Sequence, residues 1–159
     1  MNADDTDIAL TIFDGADEYV SLKIHDLDLA ASIVEITEIN RCGDIFPVPG
    51  AAYSLRGVIN LRGDVVTVID LGLLLTGRPV EVDERSRFVV VECEGERVAL
   101  LVEEIADIVA FSAAEIEGQP ANVGGADRRW FKGVVKRRDG LVLVLDTAEV
   151  VALTDGGDS

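Results

Sequence analysis

The sequence contains few aromatic residues, few cysteines and few lysines, and each shortage excludes a class of protein. Phe, Trp and Tyr make up 5% of the 159 residues, whereas hydrophobic residues as a whole make up 48%. The interior must therefore be built from aliphatic side chains, and the chain is too hydrophobic to be intrinsically disordered. The two cysteines, Cys42 and Cys93, are isolated and fit neither a disulfide framework nor a metal-ligand spacing. We therefore expect no metal and no cofactor.

Long apolar runs are also lacking. No stretch reaches the roughly 18 apolar residues that a membrane-spanning helix needs. The N-terminus carries Asp4, Asp5 and Asp7 where a signal peptide has basic residues before an apolar block. These features predict a cytoplasmic protein without direct membrane insertion.

Basic residues are scarce, at 14 against 30 acidic residues, which gives a net charge of −16. Such a chain repels phosphate backbones and anionic lipid, so nucleic acid and membrane surfaces are poor partners. Two explanations of the acidity stay open. It keeps a domain with adhesive faces soluble, or it reflects a saline cytoplasm in which lysine is reduced to three residues.

Six of the 14 basic residues lie between Arg128 and Arg138, with Trp130 and Phe131 among them. In a nucleic-acid-binding protein this pattern would indicate a patch with stacking aromatics. Against the strongly negative net charge, it favours an internal counter-patch or a protein-docking edge.

The chain contains an internal repeat. Residues 19–24 match 88–93 in apolar pattern, and 35–39 match 104–108, both at an offset of 69. Residues 57–70 then match 133–146 at an offset of 76. The difference of 7 fits a longer loop at 117–125 in the second copy.

Each copy holds four or five short strands separated by turn signals such as 62–64 and 139–140. The apolar runs 65–69 and 141–145 are expected to be covered on both faces, as where two small barrels pack together. One short helix is expected over 71–76, ended by Gly77 and Pro79. The pattern predicts a mostly β protein of two pseudo-symmetric barrels.

The predicted domain spans residues 18–153, with pseudo-repeat lobes at about 19–75 and 88–151. An acidic N-terminal segment, 1–17, precedes it. The apolar residues 8–13 in that segment fit an added edge strand or a loosely held segment equally well. A disordered tail is expected at 154–159.

The strongest resemblance to a known family lies in the first repeat. Residues 56–63 read RGVINLRG and residues 65–71 read VVTVIDL, which resembles the "GVxNLRG…VIDL" segment of the chemotaxis coupling protein (CheW) family. Residues 36–39 resemble its "VxEI" segment and 99–105 its "GLLVDxV" segment, in the same order along the chain. The resemblance covers essentially the whole domain.

This resemblance implies two five-stranded SH3-like barrels with one to three short helices. It also implies a non-enzymatic adaptor that couples chemoreceptors to a CheA-type histidine kinase. The expected partners are the regulatory domain of the kinase and the helical cytoplasmic tip of a chemoreceptor, which a groove between the barrels takes. Other CheW-like domains are further candidate partners. An adaptor of a non-flagellar pathway, in pilus motility or second-messenger control, would have the same fold, and the sequence does not separate the two.

Arg62 is the first candidate for a partner-binding anchor, because a hairpin turn between apolar strands projects its guanidinium toward a partner's carboxylate or carbonyl. The alternative is a local salt bridge to Asp64 or Asp70. Gly57 is expected to permit a close backbone approach or a positive φ angle. Residues of the matched segments complete the predicted partner-binding set, which comprises Arg62, Ile36, Glu38, Ile39, Arg56, Gly57, Val102, Ile105 and Ile108.

Ile36 and Ile39, with their repeat mates Ile105 and Ile108, are expected to border the receptor groove in the family, although a core position is the alternative for each. An enzyme finds little support. The single histidine, His25, lies in an acidic turn and is expected to be solvated, and no nucleophile–base pair is apparent.

Overall fold

The computed structural model describes residues 16–118 and 127–154. Most of the predicted acidic segment 1–17, including residues 8–13, lies outside the described residues, as do 119–126 of the predicted long loop and the tail from 155. The domain bounds 18–153 remain a prediction. Among the described residues, no helix is both long and apolar enough to cross a membrane.

The described chain folds into two five-stranded sheets, which we call sheet A and sheet B. Sheet A has the strand order β8-β1-β2-β10-β9, and sheet B has the order β3-β6-β7-β5-β4. The strands are β1 (Ala16–Ile24), β2 (Leu27–Ser32), β3 (Ile36–Arg41), β4 (Leu55–Leu61), β5 (Asp64–Asp70), β6 (Arg87–Cys93), β7 (Glu96–Val102), β8 (Glu104–Ser112), β9 (Phe131–Arg137) and β10 (Gly140–Leu145). The mostly β, barrel-like fold predicted from the sequence is confirmed.

The two sheets are related strand by strand through the internal repeat. Shifting β1, β2 and β3 by one copy gives β6, β7 and β8, and shifting β4 and β5 gives β9 and β10. Each sheet, however, combines the first two strands of one copy with the last three of the other. The ranges 19–75 and 88–151 therefore delimit the sequence repeats and do not delimit the sheets.

Strand exchange ties the sheets into one body. The chain crosses from sheet A to sheet B through a 3-10 turn at Ile33–Glu35, and crosses back at Glu103. One hydrophobic cluster takes residues from both sheets, for example Leu22 and Leu29 from sheet A and Val90 and Leu100 from sheet B. Separating the sheets would expose this shared core, so neither is expected to fold alone.

The apolar runs in β5 and β10 are buried only in part. Val66, Val68 and Ile69 are buried, but Val65 is 73% exposed and its repeat mate Leu141 is 51% exposed. The prediction that both faces of these runs are covered is thus wrong at the first apolar residue of each run. Val65 and Leu141 are exposed because they follow the hairpin turns and lie near the ends of their strands.

Two short α-helices each follow the last strand of a repeat: α1 (Leu71–Thr76) and α2 (Thr147–Ala152). The helix predicted at 71–76 is confirmed, and it ends at Gly77, whose φ of 80° suits a left-handed C-cap. Asp70 caps α1, and its repeat mate Asp146 caps α2.

Candidate functional site: a partner-binding surface

Arg62 lies in the turn between β4 and β5, with φ of 54°. Its side chain is 79% exposed, and Nη2 lies 3.1 Å from Oε1 of Glu38. The alternative of a salt bridge to Asp64 or Asp70 is wrong, because Asp64 pairs with Arg97 and Asp70 pairs with Arg56. The guanidinium is thus held at one corner and open elsewhere.

Glu38, the ion-pair partner of Arg62, lies on the opposite edge strand of sheet B. Its carboxylate is 16% exposed, and Oε1 also accepts a hydrogen bond from Nδ2 of Asn40 at 3.2 Å. Glu38 lies on β3 and Arg62 follows β4, which are the first and last strands of the sheet. Their ion pair therefore connects the two edge strands of sheet B and holds Arg62 beside β3.

Arg56 and Gly57 support the surface from within. The Arg56 guanidinium binds the fully buried Asp70 carboxylate and donates to the Val80 carbonyl at 3.2 Å. Gly57 has φ of 148°, and a Cβ there would lie 2.3 Å from the carbonyl oxygen of Phe46. Both features expected of Gly57 are present, and the close approach lets Phe46 pair with Val58 along the outer edge of β4.

The predicted apolar residues separate into outward and inward positions. Ile39 is 40% exposed and Ile108 is 59% exposed, so both offer apolar surface to a partner. Ile36 and Ile105 are half-buried and pack against the main core. Val102 is fully buried, so it supports the surface and does not itself contact a partner in this conformation.

Several exposed apolar side chains escaped the sequence reasoning. Single exposed apolar residues are ordinary, but these add to the surface that a partner could cover. Two of them, Phe46 and Val48, flank Pro47 in a stretch without the alternation of a strand, and this pattern could have indicated an exposed loop. The set comprises Val34, Phe46, Val48, Tyr53, Val65 and Leu141.

His25 is not solvated, contrary to expectation. Its side chain is 11% exposed; Nδ1 lies 2.8 Å from Oε2 of Glu103, and Nε2 lies 3.0 Å from the Arg78 carbonyl oxygen. The backbone N–H of His25 donates to Oε1 of Glu103 at 2.8 Å. His25 thus ties the β1–β2 turn to the crossover between the sheets, because the fold brings residues from three distant segments together.

The thiols are unsuited to nucleophilic chemistry. Burial raises the pKa of Cys42 to about 11, and burial together with the nearby Glu35 carboxylate raises that of Cys93 to about 11. Both are therefore protonated near neutral pH. In residues 16–118 and 127–154, no group of three or more His, Cys, Asp or Glu side chains is arranged to hold a metal ion.

Comparisons with known proteins agree with this architecture. The CheW-like domain family model matches residues 18–154. The chemotaxis protein CheW of Rhizobium meliloti is 26% identical over 145 residues, covering 91% of this chain and 94% of that protein. CheW of Bacillus subtilis is 26% identical over 135 residues, covering 85% and 86%.

A solved structure gives the same answer for the fold. The scaffolding protein TtCheW of Thermoanaerobacter tengcongensis superimposes with a TM-score of 0.75 at 23% identity, over 82% of this chain and 84% of that one. With the family match over nearly all of the described residues and the paired five-stranded sheets, the chain belongs to the CheW-like domain family.

Proposed function

We propose that the chain is a chemotaxis scaffold that couples chemoreceptors to a CheA-type histidine kinase. It would act in the cytoplasm beside receptor arrays, binding the regulatory domain of the kinase and the cytoplasmic tip of a receptor without catalysing a reaction. The relatives named as chemotaxis proteins support this role over one in pilus motility or second-messenger control.

The observation that carries the proposal is the rim formed by Arg62, Glu38 and Ile39. Glu38 holds one corner of an arginine that is 79% exposed, and Ile39, the next residue of β3, exposes 40% of its side chain on the opposite face of that strand. An exposed guanidinium and an exposed isoleucine at one edge of a sheet are residue types that often anchor protein interfaces. Its ion pair with Glu38 places the guanidinium at the edge of sheet B, where a partner can reach it.

The proposal is tested by measuring binding of two charge variants to a CheA-type regulatory domain and to a receptor tip. We expect Arg62→Glu and Ile39→Asp each to weaken at least one of the two contacts by about tenfold or more, the loss typical of an anchor residue. Ile39 is exposed, so Ile39→Asp should change thermal unfolding little. Arg62→Glu loses the pair with Glu38 and places a second carboxylate beside it, so it should lower the unfolding temperature modestly, and its folding is checked before binding is compared.

Matched controls separate the rim from general surface charge. Arg78→Glu alters an exposed arginine, and Val82→Asp alters a valine that is 47% exposed. Both controls should bind like the unmodified chain. Undiminished binding of folded Arg62→Glu and Ile39→Asp to both partners would refute the site.

A further inference from the structure

The mouth of the sheet A barrel carries a groove that the proposed function does not use. It has a volume of about 550 Å³ and lies between the β9–β10 hairpin and the facing parts of β1, β2 and β8. Arg137 and Arg138 contribute its basic side chains, and Val109 and Val142, which pack on the same side of the sheet as Phe111, supply apolar surface. The groove shares no residue with the predicted partner-binding set.

The two arginines of this groove lack acidic partners among the described residues, whereas five of the other nine arginines pair with a carboxylate. Lys136 lies 3.5 Å from Glu117, but no carboxylate within ion-pair distance accompanies Arg137 or Arg138 in the described chain. Of the two acids that line the groove, Asp28 is neutralised by Lys23 at 2.8 Å. Asp139, at the tip of the hairpin, leaves one negative charge against two free guanidinium groups.

Arg137 is already oriented for binding. Its guanidinium carbon lies 4.5 Å from the ring centroid of Phe111, which is fully buried at the top of the barrel interior. This cation–π contact favours one placement of the guanidinium at the groove. A planar donor fork held in one orientation suits a carboxylate.

The repeat supplies an internal comparison, because the groove at the corresponding end of sheet B contains one arginine, Arg41, together with one acid, Asp44. The offset of 76 places Lys136 and Arg137 on Asn60 and Leu61, which line a groove of about 160 Å³. It places Arg138 on Arg62, which is paired at one corner with the carboxylate of Glu38. The repeat mate of Glu38 is the exposed Asp107, which makes no ion pair with Arg138.

We propose that the groove at the sheet A mouth binds an acidic segment of a partner protein, with carboxylates on Arg137 and Arg138 and an apolar side chain against Val109 and Val142. Complementary charge is the reason for an acidic partner, since this mouth is locally positive on a molecule of net charge −16. Nucleic acid is disfavoured, because Trp130 and Phe131 are buried and offer no stacking face. The inference goes beyond the adaptor role and does not depend on it.

The test uses the full chain, isotopically labelled for NMR, and a short synthetic peptide in which glutamates alternate with leucines. At about 1 mM peptide, the weak end of specific affinity, we expect amide shifts at Ser21, Val109 and Leu141 that diminish as salt is raised. A matched peptide with lysine for glutamate should leave them unchanged. Absence of shifts at these residues, or equal shifts with the lysine peptide, would overturn the proposal.

Variants then identify the arginines. Arg138→Glu should weaken peptide binding by about tenfold, and Arg137→Lys should weaken it by removing the planar fork. Arg41→Glu, in the equivalent groove of sheet B, is the matched control and should bind normally. Equal weakening by Arg41→Glu, or tighter binding of a single-stranded oligonucleotide than of the acidic peptide, would also overturn it.

Discussion

Removing the Asp70 carboxylate should cost the fold far more than removing its repeat mate Asp146. Oδ1 of Asp70 accepts from the backbone N–H groups of Leu73 at 3.0 Å and Val80 at 3.2 Å, and Oδ2 binds the Arg56 guanidinium. The carboxylate is fully buried, whereas Arg56 is 32% exposed. One side chain thus caps α1, fixes the segment after it and neutralises an arginine.

The magnitude follows from these contacts. Loss of an N-cap costs about 1 kcal/mol, and a buried N–H left without an acceptor at Val80 costs about 1–3 kcal/mol. Breaking a buried ion pair from one side costs about 3–5 kcal/mol in total, a figure that already includes part of the hydrogen-bond loss. We therefore expect Asp70→Ala to lower the free energy of unfolding by about 4 kcal/mol.

Asp146 makes the cap alone, through Oδ1 and the Glu149 N–H at 3.2 Å. Asp146→Ala should therefore cost only about 1 kcal/mol. Asp70→Asn keeps an acceptor for the cap but loses the charge, so it should fall between the two alanine variants. Urea unfolding followed by circular dichroism measures all three. Equal losses for Asp70→Ala and Asp146→Ala would refute the argument that the Arg56 pair and the Val80 contact make the difference.

Two further predictions concern a glycine and the thiols. Gly57→Ala should cost about 3–4 kcal/mol, from backbone strain and loss of the two hydrogen bonds between Phe46 and Val58. Gly95 also has a positive φ, of 81°, but open space at its Cβ position, so Gly95→Ala should cost only about 1–2 kcal/mol; equal thermal shifts for the two variants would contradict this. Cys42 and Cys93, with pKa values of about 11, should react with iodoacetamide at pH 8 about a hundredfold more slowly than in the unfolded chain. Because these pKa values are raised by folding, their contribution to stability is present below about pH 9 and is lost as pH approaches about 11. Equal alkylation rates in folded and unfolded protein would show that the thiols are not protected.

The sequence predicted local features well because local patterns determine them. The apolar run 71–76, with Gly77 and Pro79 after it, was enough to place α1. The offsets of the repeat likewise predicted which strands correspond. Strand alternation, however, says which face a residue occupies and nothing about which strand lies beside it, so the exchange of strands between repeats could not be derived.

In the candidate site too, local features could be predicted from the sequence and long-range contacts could not. The exposed turn position of Arg62 follows from the Arg-Gly-Asp turn signal. Its partner Glu38 lies 24 residues earlier and reaches Arg62 only because the two edge strands of sheet B come close to each other. The pairing of His25 with Glu103, 78 residues later, was missed for the same reason. The apolar pattern of the sequence does not show where the two sheets pack against each other. It therefore could not predict that Val102 is buried while Ile108 is exposed.

The central claim is that this chain links a kinase to receptors. The most direct measurement is co-sedimentation of a CheA-type kinase with receptor-containing membranes, with and without the chain. The account predicts that the pelleted kinase rises when the chain is added and falls back toward the level without it when Arg62→Glu is used instead. Pelleting of the kinase to the same extent whether or not the chain is present would contradict the account.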